Sequence, residues 1–207
     1  ILSQDKKMCS YELSIALAKK AKVIIGDYYY LFNPHVQATL FNKLSLELED
    51  VILVVDEGHN LPNRVMNMLS NNLTTVMLKN SILEAKKFGY KGVIFWLNEL
   101  LHLLNNMANF PVDERNKEKL VQRDPFIKQV QQITDYEQLV DELEKAADEI
   151  RKKQRRSYLG GVANFLQSWQ GEDKGFTRII SKSEGKYGPV TVLTYSCLDP
   201  STVTKDI

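Results

Sequence analysis

The chain has 207 residues, 43% of them hydrophobic, enough for one large domain or two small ones around a real core, so disorder is not the default. Lys plus Arg number 27 against 26 for Asp plus Glu, so the whole-chain field does not select nucleic acid, and any such surface must be a local patch. The two cysteines, Cys9 and Cys197, preclude a disulfide framework and lie too far apart for a zinc spacing, which points to a reducing, intracellular setting.

The sequence opens on "ILSQDKKMC" without an initiator Met and stops on "STVTKDI" without a closing signal, as expected of a piece of something longer. Its first periodic stretch, "SYELSIALAKKA", predicts a short helix. "KVIIGDYYYLFNP" then predicts a buried strand from Lys22 to Gly26, a loop, and a new helix near Asn33 and Pro34. "DVILVVDEGHN" repeats that plan, with five aliphatic residues, Val51 to Val55, running into two adjacent carboxylates. Two apolar strands separated by helical sequence predict crossover units in a parallel sheet, whose covered faces need no polar alternation.

From about Asn71 the pattern turns helical, with no convincing strand for roughly a hundred residues. The most apolar helical stretch, "VIFWLNELLHLL" from Val93, is too short to span a bilayer and is interrupted by Asn98 and Glu99. Phe95, Trp96 and Trp169 read as helical core. "NFPVDERNKEKLVQRDPF" reads as an exposed connection or short helix. A clearer helix begins at "TDYE", with Thr134 as cap and Glu137 closing a capping box. Leu139, Leu143, Ala146, Ala147 and Ile150 form its apolar stripe, and Asp141–Lys145, Asp148–Lys152 and Glu149–Lys153 are candidate i,i+4 pairs. The helix ends in "RKKQRR", where Lys152, Lys153, Arg155 and Arg156 serve either a helix C-terminus or a phosphate-facing patch. Finally "GFTRIIS" and "PVTVLTYSCL" flank "KSEGKYG", a turn between paired strands.

The pair Asp56 and Glu57, at the C-terminal end of an apolar strand, sits where open α/β sheets bind ligands. That chemistry suits nucleotide hydrolysis: the Asp can hold Mg²⁺ through its water shell while the Glu orients or deprotonates the attacking water, and His59 senses the phosphate. No "GxxxxGK[ST]" phosphate loop occurs in these 207 residues, so half of an ATP site is present.

"VVDEGHN" resembles the DEAH (Walker B) box of superfamily two helicases, and "CSYELSIALAKKAKVIIGDYYYLFNP" resembles the matching segment of the XPD (Rad3-type) iron–sulfur helicases, in particular the archaeal form. The likeness continues through "SNNLTT", "SYLGGVANFLQSW", "GFTRII" and "YSCLDPS". The resemblance implies an α/β fold, a partial RecA-like parallel-sheet motor domain with a largely helical inserted Arch domain. Residues 1–70 would hold the end of the iron–sulfur module and part of the motor domain, residues 71–172 the Arch, and residues 173–207 the return strands. It also implies an ATP-dependent 5′ to 3′ DNA helicase of nucleotide excision repair, intracellular, cytoplasmic if archaeal and nuclear if eukaryotic. Its cofactors would be ATP, Mg²⁺ and a 4Fe-4S cluster.

Carried over by position, Asp56, Glu57 and His59 are the catalytic box, with Asp56 toward Mg²⁺. Gly58 stands where the family usually has Ala. Cys9 matches the last cluster cysteine; Ser10, in place of the usual Pro, is free to cap the helix that follows. Cys197 keeps the reading of a core thiol. Tyr28, Tyr29 and Tyr30 lie in a loop where such helicases grip single-stranded DNA, with one or two of the three expected to pack under it. Expected partners are single-stranded DNA and, at the Arch, repair or transcription-complex proteins; no membrane partner is expected, and the protein should be a monomer. A non-catalytic docking module and a DinG-like helicase are the alternatives.

Overall fold

The computed structural model describes residues 9–110, 117–185 and 188–201, with the backbone alone at residues 34 and 35. These divide into two compact units, the described residues of 1–69 with 199–207, and residues 70–198.

The first unit carries helices α1 (Ser10–Ala18), α2 (Tyr29–Phe32), α3 (Pro34–Leu44) and α4 (Leu61–Leu69). Helix α3 starts as the sequence predicts: Pro34 stands in its first turn, and the Asn33 side chain accepts from Val36 N at 3.2 Å. Helix α1 starts differently. Its N-cap is Cys9 and no side chain caps it, so Ser10 is the first helical residue, a position that also suits proline. Lys43 of α3 ion-pairs with Glu12 of α1 and lies 4.8 Å from the Tyr11 ring.

The expected parallel sheet is not formed among the described residues. Segments 22–26 and 51–55 carry no regular secondary structure, and neither pairs with a strand. Their side chains face solvent, with Ile25 95%, Ile52 94% and Val54 90% exposed. A fully buried parallel strand needs neighbours on both edges and cover on both faces, and none of these is supplied by the described residues.

The second unit holds β1 (Asn71–Thr74), α5 (Thr75–Phe88), α6 (Lys91–Met107), β2 (Glu118–Leu120), α7 (Arg123–Gln131), α8 (Tyr136–Arg151), α9 (Tyr158–Trp169), β3 (Phe176–Gly185) and β4 (Gly188–Cys197). The strands form one antiparallel sheet in the order β1-β4-β3-β2. The hairpin read from "GFTRIIS" and "PVTVLTYSCL" is present, but β1 and β2 fall inside the stretch expected to be wholly helical. Residues 111–116 of the expected connection lie outside the described residues; beyond them come β2 and α7, whose Phe126 is core. Alternate residues of β4, Thr191, Leu193, Tyr195 and Cys197, are buried, the period of a sheet covered on one face. Leu73, Leu193 and Ile180 pair across three strands to make the sheet's share of the core.

Helix α9 is the centre of this core, packed against α8, α5 and β1, with Phe165 and Trp169 fully buried. Arg178 of β3 is buried at its C-terminal end, between the Trp169 and Tyr195 rings, and donates to the carbonyls of Trp169 at 2.9 Å and Gly171 at 2.6 Å. It also pairs with Asp173. The other end of α9 is held by Glu84 of α5, a buried carboxylate that accepts from Ser157 Oγ (2.8 Å), Leu159 N (2.9 Å) and Gln154 Nε2 (2.7 Å).

On α8 the predicted apolar stripe is buried at every position, from Leu139 to Ile150. Its cap is Asp135 rather than Thr134, accepting from Gln138 N at 2.9 Å. Its surface ion pairs run i,i+3, Glu142–Lys145, Asp148–Arg151 and Glu149–Lys152, in place of the expected i,i+4 set. Trp169 is core and Trp96 partly so, whereas Phe95 is 61% exposed. Cys197 is buried, as read. Among the described residues no helix is long and apolar enough to cross a membrane.

Glu84→Ala removes the acceptor of Leu159 N and the Ser157 hydroxyl at the start of α9 and one of the two acceptors of Gln154 Nε2. It should lower the unfolding free energy by about 2–4 kcal/mol, read by urea denaturation, with Glu84→Gln costing less because it keeps one acceptor oxygen.

Candidate functional site

The loops that follow the two aliphatic segments meet. The Tyr28 hydroxyl donates to the backbone carbonyl of Asp56. Tyr28 is thereby half-buried, its ring edge-on to Phe32 at 6.3 Å and beneath the Arg64 guanidinium of α4 at 5.5 Å. Asp27 starts the turn, its Oδ1 accepting from Tyr29 N at 2.9 Å. Of the three tyrosines expected at this loop, Tyr28 is thus packed against the carboxylate loop, while Tyr29 and Tyr30 are exposed.

Past Val55 the chain turns sharply. Glu57 N donates to Asp56 Oδ1 at 2.9 Å, and Glu57 itself adopts a left-handed backbone, φ 50°. That conformation costs a residue with a β-carbon about 1–2 kcal/mol. It serves to swing the chain into a tight 3-10 turn, Gly58–Asn60, ahead of α4. Within the turn His59 Nδ1 lies 3.2 Å from Glu57 Oε2, both side chains being exposed. Asp56, Glu57 and His59 therefore cluster on one solvent-facing turn at the C-terminal end of an aliphatic segment. Gly58 is not the strained residue: a β-carbon there would meet only Val55 Cγ1, at 3.8 Å.

These groups can present two carboxylates and an imidazole to a ligand from solvent. Among the described residues no cluster of three or more metal-binding side chains exists. Cys9 is exposed at the start of α1 and offers one thiolate, where a 4Fe-4S cluster takes four.

The basic run lies in the second unit. Lys152 pairs with Glu149 at 2.5 Å, and that carboxylate holds its ammonium above the usual lysine range. Lys153 lies 5.7 Å from the Phe88 ring, and Arg155 and Arg156 are exposed. Two contributors are invisible to motif reading. Arg64 has no spacing relation to Tyr28 that would pair them, and Glu84 reads as one more polar residue of a helix. The hint for Glu84 was its place among buried neighbours, Ser81, Ile82 and Ala85, on one face.

The DEAD_2 family model matches residues 2–78, the stretch that contains Cys9, the tyrosines and the Asp56–His59 turn. Over 78 residues the chain is 31% identical to the general transcription and DNA repair factor IIH helicase subunit XPD/RAD3 of Saccharomyces cerevisiae, covering 38% of this chain and 10% of that one. The corresponding XPD subunit of Dictyostelium discoideum is 32% identical over 75 residues, 36% of this chain and 9% of that protein. The ATP-dependent DNA helicase CHL1 of Saccharomyces cerevisiae is 26% identical over 104 residues, 50% of this chain and 11% of that protein. The chain spans about a tenth of the length of these relatives, and across that span it is similar to DNA helicases.

Proposed function

We propose that this chain is part of an ATP-dependent DNA helicase of the XPD type, and that its Asp56–His59 turn is the hydrolytic half of an ATP site. The observation that carries this is the meeting of Tyr28 with Asp56 inside the segment that is similar to helicases. The loops after both aliphatic segments meet, with the carboxylates exposed, as those after adjacent parallel strands of a RecA-like motor would. Ile25, Ile52 and Val54 are then strand residues waiting for sheet neighbours, since full burial of such side chains is worth about 1.5–3 kcal/mol each.

In this reading Asp56 holds the water shell of Mg²⁺ on the nucleotide, and Glu57 takes the proton of the attacking water. His59, whose Nδ1 lies 3.2 Å from Glu57 Oε2, steadies the carboxylate's orientation and reports the state of the phosphate. Exposed Tyr29 and Tyr30 offer ring faces to single-stranded DNA, and Tyr28 ties that loop to the hydrolytic turn. Cys9 would supply one thiolate to an iron–sulfur cluster whose other ligands lie outside these 207 residues. Residues 70–198 would be Arch and adjoining motor strands, a docking surface for repair or transcription proteins. Movement 5′ to 3′ and a role in nucleotide excision repair belong to the same proposal, as does the archaeal affinity. No observation favours the DinG-like alternative.

In the complete polypeptide, Glu57→Gln should lower DNA-stimulated ATP turnover by at least about a hundredfold while fluorescent nucleotide still binds; retained turnover would remove Glu57 from the role of base. The 207-residue chain by itself should show no Mg²⁺-dependent ATP hydrolysis, because it contains no phosphate loop. Measurable turnover by the pure chain would overturn the half-site reading. Gly58→Ala, which restores the usual DEAH box, should be accommodated and raise thermal stability by about 0.4–1 kcal/mol, since the new methyl meets no close neighbour.

A further inference from the structure

Helix α5 ends in Lys86, Lys87 and Phe88, and α8 leads at Arg151 into the run Arg151–Arg156, far away in sequence. The fold brings the two ends to one corner of the second unit. Lys87 Nζ lies 5.0 Å from the Phe88 ring centroid and Lys153 Nζ lies 5.7 Å from the same ring. Gln154 bonds Glu84 of α5 at 2.7 Å and the Arg156 carbonyl at 2.8 Å, which pins the run against α5. The corner's own carboxylates are already engaged: Glu84 with Gln154, Ser157 and Leu159, Asp148 with Arg151, and Glu149 with Lys152. Lys86, Lys87, Lys153, Arg155 and Arg156 are exposed, and none forms an ion pair among the described residues.

A helix C-terminus explains one or two of these cations. It does not explain five from two helix ends with no counter-charge between them, in a chain whose net charge is only +1. We infer that this corner is a binding site for the phosphodiester backbone of nucleic acid, formed by Lys86, Lys87, Lys153, Arg155 and Arg156. Phe88 sets the positions of two of the ammonium groups by cation–π contact, and the arginines supply forked donors to phosphate oxygens. With its ring covered by two lysines, Phe88 does not stack a base, so the site reads backbone charge without sequence. The choice of nucleic acid over an acidic peptide rests on the helicase reading above.

The test uses the 207-residue chain and a fluorescein-labelled oligo(dT) of about 20 nucleotides, longer than the common site of about 4–16. Anisotropy is followed across a salt series, with a labelled duplex in a parallel arm. The unsubstituted chain should show log K falling with log salt at a slope of about −3.5. The variant K86Q/K87Q/K153Q/R155Q/R156Q should bind at least about tenfold more weakly at low salt, with a slope near zero. K86Q/K87Q alone leaves the run untouched and should reduce the slope by about 1.4, which keeps the test decisive if the fivefold variant does not fold. Loss in either the single-strand or the duplex arm supports the site and names the form bound. Unchanged affinity and slope in both variants would overturn it, as would displacement of the oligonucleotide by poly-glutamate as readily as by unlabelled oligo(dT). Failure of ATP turnover in the complete polypeptide would sink the helicase reading and leave these binding curves as they are.

Discussion

Helix α9 begins, like every α-helix, with backbone N–H groups that have no partner within the helix, and it begins in the interior, where such groups cannot be left to water. Ser157 caps one of them, accepted from Gly160 N at 3.3 Å, and Glu84 reaches across from α5 to take Leu159 N and the Ser157 hydroxyl. A carboxylate is favoured there twice over, by the hydrogen bonds and by the positive end of the helix dipole. Because the same carboxylate also takes Gln154, the connection between α8 and α9 has only one place to run. The arrangement of the core around α9 and the gathering of cations at the neighbouring corner both depend on that contact.

At its other end α9 is closed by Arg178, whose guanidinium satisfies the Trp169 carbonyl while lying between two aromatic rings. A charge buried this deeply is tolerated because carbonyl oxygens, a carboxylate and ring faces all meet it. The helix is thus held by an anion at its N-terminus and a cation at its C-terminus, each supplied by a different element. Among its described residues the first unit has no comparable centre. Its buried apolar residues, Ile15, Phe32, Leu44 and Val65, are few, and its longest aliphatic runs face solvent.

How much of this was legible depended on the range of the interactions. The start of α3, the apolar stripe of α8 and the β3–β4 hairpin follow from periodicity, caps and turn residues, all within a few positions of one another. Thr134 and Asp135 are chemically interchangeable as caps, so the choice between them fell to backbone geometry at the turn. The ion pairs of α8 shifted from i,i+4 to i,i+3, because both spacings bring side chains together on a helix surface. Two departures from expectation have a common cause. Short β1 and β2 carry no strong strand signal and exist because β4 and β3 offer them an edge, while segments 22–26 and 51–55 have strand composition and no edge to join among the described residues.

At the candidate site, the residue types and their order were readable: aliphatic run, Asp56, Glu57, a small residue, His59. Composition and local pattern determined those, along with the helices and the likeness to helicase sequence. What only tertiary structure decided is which residues from elsewhere join them. Tyr28 rather than its neighbours reaches Asp56, Arg64 covers it, Glu57 rather than Gly58 takes the left-handed turn, and Lys87 and Lys153 reach the same Phe88 ring. Propensity and capping act through bonds a few residues long and are written in the local sequence. Convergence of distant side chains is set by how cores pack and by where buried polar groups find partners, and no stretch of sequence contains that information on its own.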